Sequence, residues 1–181
     1  MRRFEALILP HADAAYNLAL RLTRQGHAAE DVVHDAYVRA LTGFDGFRGG
    51  DARAWILTIV RRRAFDWLSA RRREGLQALR PDAPDDPDQD FDIEPSDPDQ
   101  ENPEQILIRH GEAAALHAHI DALPPRLREV LVLREMEELS YRDIAQITDA
   151  PIGSVMSRLA RARAQLTAAW RRAEDRPEAA T

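Results

Sequence analysis

The chain has no cysteine and no lysine, and nowhere does it run apolar for the about 18 residues that a membrane span needs. The first absence excludes a disulfide scaffold and thiolate-bound zinc or iron–sulfur centres, and it suits a reducing cytoplasm. Because all 25 basic residues are arginines, any basic site here uses planar, bidentate donors. Aromatics are scarce at 6% and no β-rich alternating stretch competes with helical patterning, so an all-α protein is expected. No Gly-rich phosphate loop, HExxH run, nucleophile elbow or Cys/His cluster occurs, which points away from an enzyme and from any cofactor or metal. His110, His117 and His119 with Glu112 lie on an Ala-rich helical segment and read as solvated side chains rather than metal ligands. The opening residues from Met1 to Glu5 lead into an amphipathic segment too mixed in charge for a signal peptide.

What is present is unevenly placed. The 181 residues suffice for one ordinary domain or two small ones. Of the 31 acidic residues, 11 fall between Pro81 and Gln105, where there is no arginine at all. Outside that stretch 20 acids face 25 arginines, so the formal charge of −6 hides a net positive remainder. The acidic stretch also holds Pro81, Pro84, Pro87, Pro95, Pro98 and Pro103. Such a composition buries too little apolar surface to offset chain entropy, and it reads as an extended linker. Two basic or mixed segments joined by an anionic tract point towards nucleic acid.

Both flanks read as helical, with helices expected near 4–24, 28–42, 51–73, 104–122, 125–137, 140–148 and 152–170. Pro125 suits a first helical turn, and Ser140 with Asp143 resembles a capping box.

The C-terminal flank carries the clearest pattern. A short helix with Ile144, Ala145 and Ile147 is followed by the turn Thr148-Asp149-Ala150-Pro151 and a longer helix. On the second helix Ile152, Val155, Leu159, Ala162 and Leu166 form one apolar stripe, leaving Ser154, Ser157, Arg158, Arg161 and Gln165 on the other side. This is the plan of a helix-turn-helix for the DNA major groove, where Arg pairs with guanine, Gln with adenine and Ser with bases or phosphates. The run from Ala122 to Leu166 resembles region 4 of the extracytoplasmic-function sigma factors, small bacterial transcription initiation factors of the sigma-70 family. The resemblance implies recognition of the promoter −35 element by Ser154, Ser157, Arg158, Arg161 and Gln165. Met156 departs from it, standing where the family commonly has Lys or Arg.

A second, independent resemblance covers Ala29–Leu41 and Arg53–Arg73, which look like region 2 of the same family. On helix 28–42, Ala29, Val33, Ala36, Tyr37 and Ala40 point inward, while Asp31, His34, Asp35, Val38, Arg39 and Thr42 point outward. The resemblance implies that this outer face, with Asp31, His34, Asp35 and Val38, binds core RNA polymerase. On helix 51–73, Trp55, Ile56, Ile59, Val60 and Trp67 share one side, and both tryptophans read as core. Arg61, Arg62, Phe65 and Ser69 occupy the other side, ahead of Arg71-Arg72-Arg73. Arginines interleaved with an aromatic suit single-stranded DNA. By resemblance, Phe47, Arg48, Arg61, Arg62, Phe65, Arg71 and Arg72 capture the melted −10 element. Arg62 stands where the family often has Asn, and Arg63 falls on the stripe otherwise buried.

The expected architecture is two small helical domains, a region 2 bundle over 1–78 and a region 4 helix-turn-helix over 106–181, joined by the acidic linker 79–105. The expected function is promoter recognition as a dissociable polymerase subunit, with core RNA polymerase, promoter DNA and an anti-sigma factor as partners. The alternative is a sigma-like module that sequesters an anti-sigma factor without driving transcription.

Overall fold

A computed structural model describes residues 2–79 and 111–174, and these are helical throughout their regular structure. The acidic tract 81–105 and the start of the helix expected at 104–122 lie outside the described residues. The helix expected over 4–24 is in fact two: α1 (Arg2–Ile8) and α2 (Ala12–Thr23), separated by a 3-10 turn over Leu9–His11. Pro10 is the cause, since it has no N–H to donate and its ring collides with the preceding turn. Arg24, at φ 61°, ends α2 in a left-handed cap, and its N–H reaches the Leu20 carbonyl at 2.8 Å.

Helix α3 (Gly26–Thr42) and the long α4 (Ala52–Leu79) complete the first bundle. Leu18 and Leu22 of α2 meet Ala29, Val32, Ala36 and Ala40 of α3 and Ile56, Leu57, Val60 and Ala64 of α4, all buried. The alanines keep α3 close to its neighbours, because no long side chain stands between the helices. Phe4, Phe44, Phe47 and Trp55 form an aromatic knot at one end, with centroids 5.0–6.3 Å apart.

The second half runs through α5 (Gly111–Asp121), α6 (Pro125–Leu131), α7 (Tyr141–Thr148) and α8 (Ile152–Glu174). Pro124 and Pro125 start α6, where a missing N–H costs nothing. The helix expected to 137 changes character after Leu131: Val132–Met136 form a wider π turn. Ser140 accepts from the Asp143 N–H at 3.2 Å while Asp143 reaches back to the Ser140 N–H, the reciprocal cap anticipated from the sequence.

The two halves are packed together. Helix α4 lies against α7, and α2 against α6, so that Ile120, Leu123, Val130, Leu133, Ile144, Val155 and Leu159 join the first bundle in one contiguous core. Helix α4 is therefore covered along more than one face, and this decides which of its arginines meet solvent.

Candidate nucleic-acid interface

The α7–α8 unit is built as a helix-turn-helix. Asp149 ends α7 at φ 51°, and Ser154 N–H donates to the Pro151 carbonyl at 2.9 Å, so the turn is closed by backbone bonds. Val155, Leu159 and Ala162 are buried and Leu166 is partly so, as the spacing predicts, but Ile152 is exposed. Ser157, Arg161 and Gln165 are exposed, and Ser154 is half-buried. Arg158 differs from them. Its side chain is 22% exposed and turns inward, with Nη1 3.8 Å from Glu129 Oε1.

Glu129 itself is fully buried on α6, and it receives a second arginine from the other half of the chain. Arg61 of α4 donates through Nε at 2.6 Å and through Nη2 at 3.4 Å, binding the carboxylate with both arms of its fork. Burial pushes the Glu129 carboxyl above its ordinary range and outweighs the opposing pull of Arg61 and Arg158. The Arg61 guanidinium also stacks 4.8 Å over the Phe65 ring. Two residues expected to meet melted DNA thus pack on each other, and one is tied to the opposite half.

The same seam holds two more cross-links. Arg53 of α4 pairs with the buried Glu137 that follows the π turn. Arg128 of α6 donates to the carbonyls of Arg21 at 2.8 Å, Leu22 at 3.4 Å, and Asp121 and Leu123 at 2.6 Å each. It thereby satisfies the orphan carbonyls at the ends of α2 and α5. Burial pulls the Arg128 guanidinium down to about 10, and it remains charged at neutral pH. Arg128, Glu129 and Glu137 were not foreseen as functional. The one signal was an Arg-Glu pair inside the otherwise apolar run from Leu127 to Leu133.

The other expected −10 residues divide. Arg48 and Arg62 are exposed, whereas Phe47 is buried in the aromatic knot against Trp55 and Phe44, so its ring is unavailable for stacking on a base in this arrangement. The reason is hydrophobic: Phe47 gains more contact inside the knot than on a glycine-rich loop in water. Arg71 is exposed, stacks 5.3 Å over Trp67 and donates to Gln25 at 2.9 Å, and Arg72 is half-buried. Trp55 and Trp67 pack against the core as expected.

On α3 the expected outward face is open. Asp31, His34 and Val38 are exposed, and Asp35 is half-buried between Arg39, at 3.3 Å, and Arg63. Arg63 joins this acidic rim rather than the core: it also pairs with Asp66 at 2.7 Å. Among the described residues there is no group of three or more potential metal ligands, and no helix is long and apolar enough to cross a membrane.

Comparison with known proteins accounts for both halves. The Sigma-70 region 2 family matches residues 7–74, and the Sigma-70 region 4 family matches residues 113–166. The RNA polymerase sigma-H factor of Pseudomonas aeruginosa is 34% identical over 171 residues, covering 90% of this chain and 83% of that protein. The chain belongs to the extracytoplasmic-function sigma factors of the sigma-70 family. A further relative, the sigma factor SigE of Mycolicibacterium smegmatis, is 34% identical over 166 residues, covering 92% of this chain but only 61% of its own length. The sigma-E factor of Escherichia coli K12 is 31% identical over 163 residues, with 90% and 83% coverage. The fold is shared with the sigma factor RpoE of Bartonella quintana, solved with the anti-sigma factor NepR, at a TM-score of 0.71 and 24% identity over 97% of this chain and 100% of that one. As an extracytoplasmic-function sigma factor the chain is a transcription initiation factor and not an enzyme. The seam between α4 and α6–α8 joins its region 2 to its region 4.

Proposed function

We propose that this sigma factor is a dissociable promoter-recognition subunit that works in the cytoplasm. It binds core RNA polymerase through the Asp31, His34, Asp35 and Val38 face, and an anti-sigma factor restrains it. Region 4 meets −35 DNA through Ser154, Ser157, Arg158, Arg161 and Gln165. Region 2 holds melted −10 DNA through Arg48, Arg61, Arg62, Phe65, Arg71 and Arg72, joined by Phe47 once the aromatic knot opens. The observation that carries this reading is the helix-turn-helix of α7 and α8, whose second helix offers Ser157, Arg161 and Gln165 to solvent. The domain limits we assign are 1–78, 79–105 and 106–181.

The seam adds a condition. Arg61 and Arg158 cannot reach DNA while both face the Glu129 carboxylate, so DNA must replace that carboxylate and the halves must part. Phosphate offers the same bidentate geometry to arginine, which makes the exchange chemically even. The seam equally favours a second reading, a sigma-like module held shut that only sequesters an anti-sigma factor. In vitro transcription with purified core polymerase and a promoter library separates the two. Initiation at a defined set of promoters is the expected result, and core binding without any initiation would overturn it.

A further inference from the structure

The outward face of α8 is unusual at its beginning. Helix-turn-helix units put the N-terminal residues of the second helix against base edges. In the first two turns here, Ile152 to Leu159, the only charged side chain is Arg158, and it is turned towards buried Glu129. Arg163, which shares the Met156 side of the helix two turns on, is held by Glu135 at 2.5 Å. What projects from the start of α8 is apolar: Met156 is 52% exposed, the highest value for any large hydrophobic side chain among the described residues, and Ile152 one turn earlier is 46% exposed.

Neither residue is needed for packing, because Val155, Leu159 and Ala162 already fill the inward stripe. Their exposed neighbours Gly153, Ser157 and Ala160 are short, so the flexible Met156 side chain stands furthest from the helix axis. On its Met156 side such a helix brings no fork to read guanine, even once Arg158 leaves Glu129, because Arg163 there is held by Glu135. The one apolar group that the groove displays is the C5-methyl of thymine.

We propose that Met156, supported by Ile152, reads a thymine methyl group in the −35 duplex. This rests on the promoter-recognition reading above. Methionine then replaces a charged contact by an apolar one: specificity at that base pair comes from water expelled between a thioether and a methyl, and it does not depend on salt. Arg161, exposed about 140° round the helix from Met156, supplies the charge-dependent share.

The test uses holoenzyme made from the full chain and core polymerase. A −35 duplex is first selected from a randomised library, and each thymine in it is then replaced singly by deoxyuridine, which keeps the base pair and removes only the methyl. Wild type is expected to bind the thymine duplex about fourfold more tightly than the uracil duplex at one position, the worth of one buried methyl. Met156→Ala should bind both duplexes alike, while Thr167→Ala, three turns further along α8 and outside the proposed DNA-binding set, should keep the fourfold difference. Met156 is exposed, so the melting temperature of Met156→Ala should match wild type. Equal affinities for thymine and uracil at every position in wild type would overturn the proposal, as would a difference that survives in Met156→Ala. If no −35 sequence is selected at all, the promoter reading falls and takes the proposal with it. If selection occurs and is relaxed by Arg161→Ala, while uracil is tolerated everywhere, only the role of Met156 falls.

Discussion

Asp35 and Glu129 each sit between two arginines, and they titrate in opposite directions. Asp35, on the rim between α3 and α4, faces Arg39 and Arg63; Glu129, in the seam between the halves, faces Arg61 and Arg158. At Asp35 burial is the largest single influence and raises the carboxyl, but the hydrogen bonds and charges of Arg39 and Arg63 together outweigh it, and the carboxyl lies below its ordinary value. At Glu129 burial is nearly complete and dominates, so the carboxyl lies above it. Helix α4 supplies an arginine to each site from positions only two apart, on opposite faces. The rim keeps its paired charges at the water-facing surface, whereas the seam spends them inside the molecule. A buried ion pair of this kind is weak evidence of net stability, but removing one partner alone is costly.

The comparison is broken most severely at Arg128. Arg128→Ala leaves four carbonyls at the ends of α2 and α5 without their donor in a buried setting, and should cost about 4 kcal/mol. Urea unfolding checks this through a lower midpoint; a loss under about 1 kcal/mol would mean that water replaces the guanidinium without strain. Glu129→Ala comes next. It leaves Arg61 and Arg158 facing each other across a cavity and should cost about 3 kcal/mol. It should also raise the affinity of the free chain for single-stranded DNA, since Arg61 is otherwise only 14% exposed and engaged. Fluorescence anisotropy with a short oligonucleotide reads that gain. Unchanged DNA affinity would show that Glu129 does not hold Arg61 back.

Much of the first bundle was legible from periodicity. Ala29, Ala36 and Ala40 are buried and Asp31, His34 and Val38 exposed, as a three-and-four spacing requires. Helix α4 was harder, because the side that suited single-stranded DNA lies partly against region 4: Arg61 is tied to Glu129, while Arg62 stays exposed. Periodicity identifies which residues share a face; it is silent on a second bundle arriving to cover that face. Glu129 and Arg61 are 68 positions apart, and nothing local in either segment records the contact. Pro10 is the opposite case: its broken helix follows from the residue alone, and the single helix expected over 4–24 gave that local rule too little weight.

On the rim the effects should be smaller in stability and visible in binding. Charge reversal of Asp31 and Asp35 to Arg should weaken association with core polymerase by about tenfold, as expected for charges that steer and orient a docking face. Folding stability should move by less than about 1 kcal/mol, because both carboxylates reach solvent. Surface-immobilised core polymerase measures the first and thermal unfolding the second. Undiminished association would detach α3 from polymerase binding and leave its acids as an ordinary solvated surface.

The finest distinction between rim and seam is their response to pH. Asp35 has a depressed carboxyl in the folded chain, so the stability it contributes is present above its ordinary value of 3.8 and lost as pH falls through the folded value. Glu129 has a raised carboxyl, so the folded chain holds its proton longer than the unfolded chain does. Its cost is absent below the ordinary value of 4.5 and develops as pH rises through the folded value. The isosteric amides separate the two. Asp35→Asn should be slightly less stable than wild type at pH 6, with the gap closing on acidification below the usual carboxylate range. Glu129→Gln keeps the shape and an acceptor for Arg61, and relative to wild type it should gain as pH is raised from 4. Denaturation midpoints measured on wild type and both variants from pH 3 to pH 7 give two difference curves, wild type minus variant, that run in opposite directions: towards acid the Glu129 curve rises and the Asp35 curve falls. Curves of the same sign would mean that water reaches Glu129 as freely as it reaches Asp35, and the seam would then be no drier than the rim.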